Sequence, residues 1–162
     1  MKKNSFLKIN KFPFKEGKNL LIKLKKNKIV VSPWIEEYLL RQIFFSNTHE
    51  VCPCKLYKIH LKKDLGVKKE IFLKDVYKLI KKNGYQLIRP EIALYSRIFI
   101  KQKKLGTWIR FATPLNSMID SDGIPHLPKI GYALNRYFLE TYWAYPRAVF
   151  HPHNYFIVCK KI

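Results

Sequence analysis

Ile71-Phe72-Leu73-Lys74-Asp75-Val76-Tyr77-Lys78-Leu79-Ile80-Lys81-Lys82-Asn83-Gly84 is the stretch from which the fold is read. Leu73, Val76, Tyr77 and Ile80 fall at i, i+3, i+4 and i+7, the spacing that gathers apolar side chains on one face of a helix, and Asn83-Gly84 supplies a left-handed stop. Beyond Gly106 the texture changes to aromatic and β-branched runs at 107–113, 130–134, 137–145 and 155–159, separated by Pro, Gly, Asn and Asp. These predict a mostly antiparallel sheet and, with the helices, an α+β fold.

Working upstream, Ser32-Pro33-Trp34-Ile35-Glu36-Glu37 carries a capping Ser, a Pro suited to the first helical position and acids at the positive helix end. A second main helix is expected over Pro33 to Phe45, ending in Ser46-Asn47-Thr48-His49. Tyr57, Ile59 and Leu61 alternate with Lys58 and His60, as in a half-buried strand. Arg89-Pro90-Glu91 opens a short helical turn before an extended stretch through Ile100. In the first 30 residues ten lysines meet one acid, Glu16, and Leu20–Leu24 and Ile29–Val31 read as two short strands around Lys25-Lys26-Asn27. The expected organisation is a basic N-terminal arm or hairpin over 1–31 and one α+β domain over 32–162.

At 162 residues and 48% hydrophobic content the chain is long and apolar enough for one core. Its 32 Lys+Arg against 11 Asp+Glu leave +21, which a mixed surface cannot pair off internally. A genome rich in AT writes many Lys codons, but that bias explains the lysines better than the scarcity of acids. A polyanionic partner follows, nucleic acid before an anionic membrane surface, and charge alone does not separate the two. Three cysteines without a secretory leader suggest a reducing, cytoplasmic setting, and no apolar run reaches the roughly 20 residues of a membrane span.

Phosphates call for Lys or Arg, and unpaired bases call for flat rings. The candidate contacts are Lys23, Lys25, Lys26 and Lys28 in the first segment and Lys101, Lys103 and Lys104 in the middle of the chain. Arg110, Arg136 and Arg147, with Trp108 and Trp143, add a basic aromatic sheet face. Only six of the basic residues are arginine, so point-charge phosphate contacts outweigh bidentate base reading, and sequence-tolerant binding is expected, of RNA before DNA.

No cofactor or metal site is expected. His49, Cys52, Cys54 and His60 suit zinc by residue type, but Cys52-Pro53-Cys54 has one spacer where zinc knuckles use two to four, and no second Cys pair closes a tetrahedron. His151-Pro152-His153 reads as a stiff loop, and Asp120-Ser121-Asp122-Gly123 as a turn between strands. Acid–base cleavage of RNA needs only a His or Glu beside cations, which makes His60 and Glu91 the candidate catalytic residues of an alternative reading, a small metal-independent ribonuclease of toxin-like kind. A structural component of a ribonucleoprotein is a further alternative.

Asp64-Leu65-Gly66, Pro90-Glu91, Gly106-Thr107-Trp108 and Ser121-Asp122-Gly123-Ile124-Pro125, at their spacing, resemble elements of a group of small uncharacterised bacterial proteins from candidate phyla. The resemblance covers roughly residues 64 to 160 and implies no activity.

Overall fold

A computed structural model describes residues 5–44 and 53–161. Its centre is a seven-stranded sheet built from β1 (Leu7–Ile9), β2 (Ile29–Val31), β3 (Cys54–His60), β5 (Ile109–Phe111), β6 (His126–Ala133), β7 (Arg136–Trp143) and β9 (Tyr155–Lys161). The strand order is β1-β3-β9-β5-β6-β7-β2, and a separate ribbon pairs β4 (Ile71–Phe72) with β8 (Val149–Phe150). The α+β class therefore stands, with one correction. The large sheet is mixed, not mostly antiparallel, because β5 runs parallel to β9 and β2 parallel to β7.

Alternation along β9 splits the core into two layers. Ile157 and Cys159 join one cluster, in which α1 (Gly17–Lys26), α2 (Pro33–Leu40) and α5 (Pro90–Ser96) contribute Leu20, Leu24, Ile35, Leu39, Ile92 and Leu94. Phe156 and Val158 face the other, with Leu61 of α3 (Leu61–Leu65), Leu73, Val76 and Ile80 of α4 (Leu73–Lys82) and Phe150 of β8. The expected helical stripe of Leu73, Val76, Tyr77 and Ile80 is thus the buried face of α4, which begins once the chain has left β4.

Several local readings change. Leu20–Leu24, expected as a strand of an arm or hairpin, lies in α1, where Leu20, Leu21 and Leu24 are buried on one helical face. Gly17 starts that helix against α2: a Cβ there would meet the Leu39 carbonyl oxygen at 1.9 Å, so only glycine admits the approach. Helix α2 ends at Leu40, and Ile43 then bridges to Glu16 as extended chain. Phe45, its expected end, and the stop at 46–49 lie outside the described residues. The stretch after Pro90, expected as mostly extended, is helical to Ser96 and then turns through Phe99.

Arg97, at the end of α5, is 1% exposed. Its Nε donates to the Phe138 carbonyl (3.0 Å), Nη1 to Ile100 (2.6 Å) and Nη2 to Gly131 (2.8 Å), while its guanidinium lies 5.0 Å from the Tyr137 ring centre. Burial lowers its pKa to about 10, which leaves it charged at neutral pH. One side chain thus joins the turn after α5 to carbonyls of both β6 and β7. Arg97→Met strands three acceptors, two of them fully buried, and at about 1 kcal/mol each the loss is expected to be about 3 kcal/mol, with Arg97→Lys recovering part. Urea unfolding measures it; a loss below about 0.5 kcal/mol, the range of ordinary surface substitutions, would show that the three bonds add no net stability.

Candidate nucleic-acid interface

Strand direction decides where the lysines gather. From the pairings, β2, β7, β5 and β9 all run one way, and β3 and β6 run the other. The segments that enter β2, β5, β7 and β9 therefore reach the sheet at the same end, where β3 and β6 finish. These segments carry Lys26 and Lys28, Lys101, Lys103 and Lys104, Arg136, and His151 to Asn154. Six adjacent strands at about 4.8 Å spacing make this end about 24 Å wide.

Two hollows lie along it. One, of about 540 Å³, is lined by Asn27, Lys28, Ile29, Val30, Asn135, Arg136 and Tyr137, so the N-terminal cluster and Arg136 share one groove. Lys101 extends it, with Nζ 5.1 Å from the Tyr137 ring centre. The other is a cleft of about 440 Å³ that brings together His60, Lys104, Trp108 and Arg110 with Thr107, His153, Asn154 and Tyr155. Among the described residues no carboxylate lines either hollow.

The aromatic component is partly used by the protein itself. Trp108 lies flat over Gly131, where a Cβ would come within 2.6 Å of the ring, and Lys129 Nζ is 4.8 Å from that ring's centre. Arg110 packs on Tyr142 and Phe150, at 5.1 and 5.7 Å. Arg110 and Lys129 face each other across β5 and β6, an opposition of like charges that sheets disfavour. Burial lowers the pKa of both; for Lys129, Arg110 adds to the effect and Glu140 opposes it. The buried Arg110 Nε and both amide atoms of Gln102, within the 101–107 segment, have no hydrogen-bond partner among the described residues.

The other expected contacts stand elsewhere. Lys23 and Lys25 are on the exposed side of α1, Lys25 paired with Glu36 of α2. Arg147 lies over Phe72 beside the β4–β8 ribbon. Trp143, 48% exposed, is at the opposite end of the sheet.

The two candidate catalytic residues are not brought together. Glu91 is 6% exposed and bonds Arg89 Nε at 2.6 Å, where it also raises the pKa of Tyr38, already raised chiefly by burial. His60 lines the cleft, but its Nδ1 accepts the Lys63 backbone N–H that opens α3. That bond occupies the Nδ1 lone pair, so Nδ1 is not free to act as a base. Of the thiol and imidazole set, His49 and Cys52 lie outside the described residues. Among the described residues no three His, Cys, Asp or Glu side chains gather as metal ligands.

Sequence spacing does not reveal a second constellation at the far end. His126 donates from Nε2 to Asp120 Oδ2 (2.8 Å), and its Nδ1 lies 3.1 Å from Thr141 Oγ1. Trp34 stacks on the imidazole at 5.3 Å, and Trp143 tilts against it at 5.5 Å. Asp120 also accepts the N–H groups of Asp122 and Ile124, so Asp120 to Gly123 forms a closed turn.

Comparisons with protein-family models, curated proteins and solved structures gave no match to this chain. No described helix is long and apolar enough to cross a membrane.

The non-glycine residues with left-handed backbone among those described, Lys28, Leu134 and Asn135, all belong to the cationic end. Leu134 and Asn135 form the two-residue turn between β6 and β7, whose twist needs positive φ. Lys28, at φ 59°, is held in a conformation that disfavours side chains with a Cβ. Lys28→Gly is expected to stabilise the fold by up to about 1 kcal/mol. Thermal unfolding reads it; a lower midpoint for the variant would show that the backbone at Lys28 is not strained.

At the far end, the His126 hydrogen bond, then those from Ile124 and Asp122, hold the Asp120 pKa below the usual carboxylate value, against an opposing effect of burial. A depressed carboxyl pKa stabilises the fold above the unfolded value and loses that contribution as pH falls through the folded one. The urea midpoint is therefore expected to drop on acidification below about pH 4, and Asp120→Asn to flatten that drop. Equal acid limbs for both proteins would contradict this.

Proposed function

We propose that this protein binds nucleic acid, RNA in preference to DNA, without strong dependence on sequence, through the cationic end of its seven-stranded sheet. The observation that carries the reading is convergence: Lys28, Lys101, Lys103, Lys104, Arg110 and Arg136 come from separate parts of the chain to one end of one sheet. A row of separate cations suits the repeated charges of a phosphate backbone, and affinity comes largely from release of condensed counterions. Lysines dominate the row, and lysine contacts charge more than base identity.

The chemistry of the row favours backbone contact over catalysis. His60 Nδ1 is already occupied by the Lys63 N–H, Glu91 is buried and paired with Arg89, and the two hollows offer cations without a carboxylate base among the described residues. Tyr137, between Lys101 and the Lys28–Arg136 groove, supplies a partly exposed ring for a base at the same place.

Binding to mixed-sequence single-stranded RNA is expected to weaken steeply between about 50 and 200 mM salt. Replacing Lys101, Lys103 and Lys104 together by Glu should reduce the slope of log K against log salt by about 2, since each lost single-strand contact removes roughly 0.7. Fluorescence anisotropy across the salt series provides the measurement. Unchanged slope in the triple variant, or affinity indifferent to salt, would defeat the reading.

A further inference from the structure

The cleft between the 104–107 segment and the 151–154 turn has a composition more selective than a row of surface lysines. Its donors are the Arg110 guanidinium, the Lys104 ammonium, the Thr107 hydroxyl and the Asn154 amide, with the His60 ring in the same lining. Two of these lining residues are fixed from behind. The Lys63 N–H occupies His60 Nδ1, while the His60 N–H itself donates to Asp64 Oδ2 at 2.6 Å, so backbone and ring are held together at the start of α3. Asn154 is fixed in the same manner, its Oδ1 accepting the His151 N–H at 2.8 Å, which leaves its amide nitrogen as the remaining polar atom. Arg110 is tethered by Nη1 to the Trp108 carbonyl at 3.2 Å and keeps a buried Nε with no acceptor among the described residues.

We propose that this cleft is a subsite for a phosphate monoester, carried on the end of a nucleic-acid strand or on a free nucleotide. An internal phosphodiester has one negative charge and is adequately met by any lysine of the row. A monoester approaches two charges near neutral pH and presents three terminal oxygens, as a phosphorylated side chain does, which matches two cations with a converging set of neutral donors. The absence of a carboxylate from the described lining matters more for the dianion, because repulsion scales with its charge. Placement agrees with an end-binding role: the cleft lies at the β3–β9–β5 side of the cationic end, while the Lys28–Arg136 groove lies at the β7–β2 side. A strand seated along the row from the groove reaches the cleft, where a terminal phosphate would meet these donors.

The inference takes its strand ligand from the nucleic-acid reading above. One single-stranded RNA of about a dozen nucleotides, prepared with a 5′-phosphate, with a 3′-phosphate and with neither, is titrated by anisotropy; a nucleoside monophosphate and inorganic phosphate serve as competitors. One phosphorylated form is expected to bind about tenfold more tightly than the unphosphorylated strand, a difference of about 1.4 kcal/mol. Lys104→Glu, on an exposed segment, should bring that ratio close to one, and Arg110→Met should do the same where it folds. Lys28→Glu should weaken all three strands alike. Equal binding of the three RNAs by the unaltered protein overturns the subsite and leaves the nucleic-acid reading in place. If no strand binds, but the nucleoside monophosphate shifts the His60 ring resonances, the nucleic-acid reading falls and the subsite stands with a free nucleotide as its ligand.

Discussion

The buried guanidinium of Arg97 is the contact on which the arrangement of the cationic end depends. A charge with 1% exposure is sustained here by carbonyl oxygens of Phe138, Ile100 and Gly131. A carbonyl dipole is a weaker counterpart than a carboxylate, so all three bonds are needed to offset desolvation. Their geometry has a consequence for the surface. The turn from Ser96 to Ile100 is fixed against β6 and β7, and the segment that follows with Lys101, Lys103 and Lys104 leaves from a defined place. Tyr137 sits under this arrangement twice, near the Arg97 guanidinium at 5.0 Å and near Lys101 Nζ at 5.1 Å. One ring thus faces a structural cation and a candidate binding cation.

Parallel pairing sets the rest of that arrangement. In an antiparallel meander, successive connections alternate between the two ends of a sheet, and basic connections would be divided between them. Here β2, β5, β7 and β9 share a direction, so their entry segments share an end. The helix α1 brings Lys26 and Lys28 to β2, and the chain after α5 brings its three lysines to β5. The opposite end is chemically different. Asp120, His126 and Thr141 satisfy one another there, Trp34 and Trp143 enclose the imidazole, and Arg41 bonds Glu37 at 3.6 Å. Charges pair at that end and accumulate at the other.

Legibility in the sequence follows the strength of local periodicity. Helix α4 has a wet face and a dry face, and its stripe is plain; β7 is legible too, whereas of β6 the run 130–134 shows only the second half, its start at His126 to Lys129 lacking a β-branched or aromatic run. Helix α5 is obscured because Pro90 to Leu94 are all buried, which erases the polar face that marks a helix. In α1 the run Leu20-Leu21-Ile22 resembles a strand, although Leu20, Leu21 and Leu24 are one helical face and Gly17 fits only because α2 passes so close. The mixed sheet is not readable at all: parallel partners lie far apart in sequence, with nothing local to announce them. For the same reason the basic clusters are legible one by one, whereas their meeting is not. Glu91 and His60 are candidates by residue type, and only burial and the Lys63 hydrogen bond show what each atom is committed to.

Several local rules are broken at the cationic end. Lys28 and Leu134 hold a backbone conformation that glycine would adopt more easily, Leu134 exposes 87% of its surface, and Arg110 opposes Lys129 in register. Gln102 and Arg110 keep buried polar atoms without partners among the described residues, as do Ser32 and Thr113 towards the other end. Each feature costs free energy in the isolated protein, and consistent folds confine such conflicts to places where something other than stability is served. At this end Lys28, Arg110 and Lys129 bear cations and Gln102 lies between two lysines, and an anion bound here would screen the Arg110–Lys129 repulsion and offer acceptors to the orphaned donors of Gln102 and Arg110. Were an anion to bind here, the cost borne by the free protein would be relieved in the complex, and the residues that weaken the unbound fold would be those whose interactions improve.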